Sequence, residues 1–282
     1  MNSLRTYIFF AIGLFAVLLL VPKAPIDPWG LINLYSLLRL FLILTVLQII
    51  SYVIMNFFKG HHGGFLLGFF GGLVSSTALS ASLAKQSHRS TEDEIRLLSL
   101  SYLSALLGMA AEGLVLVYVG LDEMHWSLVW IFAGPLAVTI VLLAGRIRRL
   151  REITFQENTL PTMNIKSLLT LGFVVAGFLI LSKVLQNVLG NSGQFLLTFL
   201  VCLFEFHGSV IGNVALHQQE LITVKTLGNL LAVGLMASYL AKMVLVISLG
   251  DTRLRNKVVK YSILLIFSLG IGWGMSVNFG IS

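Results

Sequence analysis

The sequence predicts an all-α polytopic membrane protein: one N-terminal transmembrane helix, then two inverted repeats, each of three transmembrane helices plus a re-entrant helical hairpin. Three observations predict it. The 282 residues are 57% hydrophobic and only 11% charged, with a mean hydropathy of +0.92, too little charge to coat a soluble fold. Apolar runs follow one another along the chain, most of them near the roughly 20 residues that a helix needs to cross a bilayer. Lys and Arg collect in the short loops between those runs, as the positive-inside rule requires of a multi-pass protein.

The runs fall at about 7–21, 31–57, 64–84, 97–120, 126–145, 167–189, 193–216, 221–249 and 259–278. The first follows Arg5 and is trailed by VPKAPIDPWG, which lacks a small-x-small cleavage site, so residues 1–24 are expected to be a retained signal-anchor helix. Residues 25–148 form repeat A, the polar stretch 149–165 a cytoplasmic linker, and 166–282 repeat B. Shifting the second half onto the first by 130 positions places Gly250 on Gly120, Lys242 on Glu112, and Glu205-Phe206-His207 on Ser75-Ser76-Thr77.

Charge decides which runs cross. If every run spans, Lys and Arg divide seven against eleven between the two sides, with Lys242 at mid-depth. If runs 64–84 and 193–216 instead dip in and return, only Lys23, Arg39, Lys183 and Lys225 stay on one side and fourteen gather on the other. The second arrangement obeys the rule that cytoplasmic loops are basic, and it puts the N terminus on the cytoplasmic side. Three crossings per half, an odd number, turn repeat B upside down relative to repeat A, a plan common among secondary transporters.

Each dipping run is then two half-helices of about ten residues, roughly 15 Å apiece, so their tips reach mid-membrane. Those tips are Ser75-Ser76-Thr77 and Glu205-Phe206-His207. A turn there leaves backbone groups that hydrocarbon cannot satisfy, and hydroxyls cap the returning half-helix. Ser209 and Asn213 are placed to serve the second tip in the same way, while Gly68, Gly71 and Gly72 allow close packing of the first. An acid in the bilayer centre costs about 2.5–3.5 kcal/mol on insertion scales, which marks Glu205, with His207, as a functional candidate. Glu112 and Lys242 are also deep in apolar runs; if the repeats face one another the two can approach as a buried ion pair, and the sequence leaves open whether they do.

The net charge of +7 comes from the loop cations and implies a membrane surface rather than nucleic acid as partner. The single cysteine, Cys202, excludes an intramolecular disulfide. There is no Walker, HExxH or CxxC pattern, so no cofactor is expected, and a metal is left open. His61-His62 suit a surface loop, and Trp29, Trp126, Trp130 and Trp273 lie at run ends, as an aromatic belt predicts.

The segments PWGLIN (28–33) and GGLVSSTALSASLA (71–84), with the pattern around Glu205 and Lys242, resemble the membrane domain of unknown function that follows MgtC/SapB domains in prokaryotes. The similarity runs from about residue 25 to the end of the chain. The family's D-x-D pair falls here on Glu205 and His207, and its basic position falls on Glu112. The resemblance implies a prokaryotic inner membrane and supports the tip residues.

Two classes of function are open to such a chain, with a lipid bilayer, a small ion or solute, and a second copy of the chain as the conceivable partners. The first is a transporter or channel, with proton linkage as an option, in which Ser75, Ser76, Thr77, Glu205, His207 and Ser209 meet the ligand and Glu112, Lys242, Glu205 and His207 couple charge. The second is an intramembrane hydrolase or transferase that uses Ser75 or Ser76 with His207 and Glu205, or else a non-transporting assembly subunit. Half-helix N-termini with Lys242 favour an anion, Glu205 and Glu112 a cation or proton, and the residues leave that open.

Overall fold

The computed structural model describes residues 2–24, 33–57, 64–121, 123, 125–145 and 165–279. The expected linker apart from Ile165, the segment PWGLI with Trp29, and His61-His62 lie outside the described residues. Within them are ten α-helices and no strand. We number them α1 (Asn2–Leu20), α2 (Leu34–Phe57), α3 (Gly64–Ser87), α4 (Glu92–Gly120), α5 (Trp126–Ala144), α6 (Ile165–Leu189), α7 (Asn191–Cys202), α8 (Phe206–Gln218), α9 (Val224–Leu249) and α10 (Thr252–Phe279).

Seven of these, α2 to α6, α9 and α10, are long and apolar enough to cross a membrane. The chain is a membrane protein, and its outward faces agree. Phe9, Leu20, Phe57, Phe173 and Val188 are largely exposed on the flanks of the bundle, where only lipid suits them. The signal-anchor candidate α1 has a shorter apolar stretch, Leu4–Leu20, and turns Tyr7 inward against Leu168 of α6.

The bundle is built around α4 and α9. Thr91 and Glu94 form a reciprocal capping box at the start of α4, and Glu92 and Asp93 add negative charge where the helix dipole favours it. Its middle, from Leu98 to Ala110, is buried on every side. Thr223 caps α9 in the same manner by accepting the N–H of Thr226. The two run antiparallel: His88, just before α4, contacts the carbonyl of Leu249 at the end of α9, and Ser238 meets Met109 midway.

α3 is one helix by length but not by direction. Gly68 lies against Ser101 and Ser104, Gly72 against Ala105, and Leu73 against Gly108, so residue numbers climb together and this arm runs parallel to α4. Ser75 then leaves helical geometry (φ −167°, ψ 96°), and the chain returns to Ser87, just before α4 begins at Glu92. The second arm is therefore antiparallel to α4, and the helix folds back on itself at Ser75. A Cβ at Gly72 would overlap the Ala105 backbone, so the first arm approaches α4 as closely as glycine allows.

α7 and α8 fold back likewise. Gly190, with φ 59° in the left-handed region, turns the chain sharply out of α6, and Gly193 packs on the Leu185 carbonyl. α8 then runs the other way along α6, with Gly208 against Leu171 and Val174, and Gly212 against Phe178. Thr198 and Asn213 join the two arms by a hydrogen bond of 3.2 Å. Cys202 is buried in the same arm, its Sγ filling the space left by Gly234 of α9.

Helices α2, α3, α4 and α5 each begin within four residues of the position that lies 130 before the start of α6, α7, α9 and α10. The tight contact also recurs at that spacing with its partners exchanged: Gly68 faces Ser104, whereas Thr198 faces Gly234.

Candidate functional site

At both reversals an extended residue stands just before the returning arm, and its side chain caps that arm. Ser75 Oγ accepts the N–H of Ala78 at 3.2 Å. Glu205 (φ −140°, ψ 101°) accepts the N–H of His207 at 3.2 Å. Capping explains why a polar side chain stands at each point, since the first N–H groups of the returning arm have no helical acceptor. The two caps differ in charge, and the site inherits that difference.

The tips meet at one cavity of about 310 Å³. Ser75, Ser76 and Thr77 line it from α3, Glu205, Phe206 and His207 from the second hairpin, and Lys242 from α9. Tyr7, Gln48 and Phe204 join them. Gln48 was legible as a polar residue inside an apolar run; Tyr7, an aromatic on the N-terminal helix, carried no signal of its own.

His207 stands between two acids. Its Nε2 lies 2.9 Å from Glu112 Oε2, off the line of a hydrogen bond, and its Nδ1 lies 3.6 Å from Glu205 Oε1. The Glu112 side chain is fully buried on α4, behind the imidazole and away from the cavity. Gly113 makes this possible, because any side chain there would strike the ring of Phe206 and hold the tip off α4. Proton transfer between two carboxylates through an imidazole is the chemistry that this row permits.

The Glu112–Lys242 pair that the sequence left open is not formed. Glu112 is taken by His207, while Lys242 donates to Ser238 Oγ at 2.7 Å and has no ion-pair partner among the described residues. Ser238 in turn donates to Met109 Sδ at 3.2 Å. The antiparallel course of α4 and α9 separates the two charges. One backs the acidic tip and the other opens on the cavity.

Ser209 also departs from expectation. It is buried within the hairpin, where it accepts from Asn213 at 3.4 Å beside the Thr198 contact, and it does not line the cavity. Ser75 and Ser76 do share the cavity with His207, but both ring nitrogens of His207 face carboxylates, which leaves none to activate a hydroxyl. Among the described residues no three His, Cys, Asp or Glu side chains are grouped to hold a metal ion. His88, His125 and His217 sit at helix ends, with His217 Nδ1 2.8 Å from the Ile222 carbonyl.

Residues 42–250 match the family model described as "Domain of unknown function (DUF4010)", and the chain belongs to that family. The match carries no link to an MgtC/SapB domain. No curated protein and no solved structure matches the chain.

Proposed function

We propose that this member of the DUF4010 family carries a small ion or solute across a membrane, binding it at mid-depth between the tips of two re-entrant hairpins that belong to inverted repeats. One observation carries the proposal: two chain reversals 130 residues apart, each capped at one extended residue, bring their tips to a single cavity that also holds Lys242. Irregular backbone deep in a membrane is tolerated only where protein buries it or a wet cavity receives it, and discontinuous helices around such a cavity are a transporter device.

The recurrence of four helices at one spacing supports the repeats, as does the exchanged glycine contact. The antiparallel course of α4 and α9 supports their inversion. The distribution of charge supports the orientation: Lys85, Arg89, Arg96, Arg253, Arg255, Lys257 and Lys260 sit around the start of α4 and the α9–α10 turn, and Lys183 and Lys225 belong to the other end. That basic end faces the cytoplasm of a prokaryotic cell, with the N terminus on the same side. Proton exchange along Glu205, His207 and Glu112 couples the movement to pH.

Flux tests the proposal. Purified protein in proteoliposomes, given a panel of ions and small solutes, is expected to move at least one of them, and Glu205→Gln to slow it about 10- to 100-fold. Flux that ignores the substitution removes Glu205 from the mechanism. If no solute moves, the chain is an assembly subunit instead. Single cysteines at the hairpin bases, positions 85 and 191, are expected to react with impermeant thiol reagents from opposite sides, and labelling from one side only would end the inverted-repeat scheme.

A further inference from the structure

We infer that the cavity takes a small oxyanion, a carboxylate or an inorganic oxyanion, held by Lys242 together with the hydroxyls of the first hairpin tip. This rests on the cavity being the substrate site, as proposed above, and it fixes the sign of the charge that the residue types alone left open.

The two acids are already engaged. Glu112 lies behind His207 and does not reach the cavity, and Glu205, at the cavity wall, turns one oxygen, Oε1, to both the ring and the backbone N–H of His207. They flank the imidazole rather than converge on a common point, so they do not offer a cation a chelating pair. Glu205 is also the N-cap of its helix, so its charge is set against a helix N-terminus that is itself positive.

The donors are not engaged. Lys242 is 3% exposed, yet its ammonium makes one hydrogen bond, to Ser238, and has no counter-ion among the described residues. An ammonium has three N–H donors, and the cavity is the open side. The hydroxyls of Ser76 and Thr77 line the same cavity and have no hydrogen-bond partner among the described residues. A buried cation without a counter-ion is costly in a protein, and an anionic ligand removes that cost. Two hydroxyls beside an ammonium at a helix N-terminus suit several oxygens carrying one shared negative charge. The cavity, at about 310 Å³, has room for a polyatomic anion of several heavy atoms.

The experiment measures ligand-dependent thermal stability of the full-length protein in detergent, with sodium acetate, sodium phosphate and sodium sulfate as oxyanions. Potassium chloride, magnesium chloride and glycine serve as the cationic and zwitterionic arms. Saturable stabilisation by an oxyanion is expected, and acetate against phosphate and sulfate tells a carboxylate site from an inorganic one. Lys242→Met, close in shape and uncharged, is expected to weaken it about 10- to 100-fold, and Thr77→Val several-fold. Thr77 lies at the cavity wall, so its variant keeps the test alive if Lys242→Met does not fold.

Stabilisation by potassium, magnesium or glycine without any oxyanion effect would overturn the inference. So would folded variants that bind oxyanions as the unaltered chain does, or a folded protein that binds none of the panel. Oxyanion binding without flux in proteoliposomes sinks transport and leaves the site standing; cation flux without oxyanion binding does the reverse.

Discussion

The two hairpins solve one backbone problem with opposite chemistry. In each an extended residue precedes the returning arm and caps it with its side chain, so the folding requirement is met equally by Ser75 and by Glu205. The difference lies in what remains after capping. The first tip keeps unengaged hydroxyls facing the cavity, while the second is tied through His207 to a buried acid on α4. A cap needs only an acceptor oxygen, so the surplus at each tip is free to serve function.

The comparison is broken most forcefully at Glu112. Replacing it by Ala leaves His207 buried against the protein without its nearer acid, and breaking a buried pair costs about 3–5 kcal/mol. A steep drop in melting temperature in detergent is expected, with part of it restored in Glu112→Leu/His207→Phe, where neither member of that pair is left behind and Glu205 keeps its backbone N–H contact. If the double variant melts no higher than the single one, the pair is not what holds the second tip to α4.

Next in size is the exchanged glycine contact. Gly68→Thr gives the first arm the residue found at Thr198, but its Cβ would lie 2.8 Å from the Ser101 carbonyl and 2.9 Å from Ser104 Cβ. A loss of about 1–3 kcal/mol is expected, as for other overpacked contacts. Adding Ser104→Gly, the partner that Thr198 has, should recover part of it, the Ser101 carbonyl holding back the rest. Full recovery, or none, in the folded yield and melting temperature would show that the two contacts are not alternatives to one another.

Smaller still is Ser75→Ala, which removes a cap worth about 1 kcal/mol and leaves the second hairpin untouched. Hydrogen exchange should quicken in residues 76–80 and stay constant in 206–210; quickening at both would mean the tips are coupled through the cavity.

The least effect is expected outside the membrane, at the α9–α10 turn. The Arg253 guanidinium and backbone N–H, both on Asp251 Oδ1, hold that carboxyl below its ordinary value of 3.8. A depressed carboxyl contributes stability that is present above its ordinary value and is lost as pH falls through the folded one. Asp251→Asn should therefore flatten a slight decline in melting temperature below about pH 4 and change nothing near neutrality. A shift at neutral pH would show that the turn depends on the aspartate for something besides its charge.

Much of this architecture was legible in the sequence, because hydrocarbon leaves a chain few options. Long apolar runs declared the helices, and the polar residues set inside two of those runs stand where the helix breaks, at Ser75 and Glu205. The partner of Glu112 was not legible. A match of positions under a 130-residue shift carries no information on contact, and in the folded chain Glu112 lies against His207 of the second tip while Lys242 lies against Ser238. Ser209 misled for a local reason: it falls one helical turn beyond the cap, and that places its hydroxyl toward Asn213 in the other direction from the cavity. Tyr7 could not be found at all, since which helix flank covers a cavity depends on packing between distant segments.

The lone thiol of Cys202 is sealed at 2% exposure, its sulfur occupying the hollow that Gly234 leaves in α9. For chemistry in water the natural chain is thus already thiol-silent. Reporters placed at either tip, whether fluorophores, spin labels or cross-linkers, will be the only ones to react, and the unaltered protein is the proper background for watching the two hairpins move.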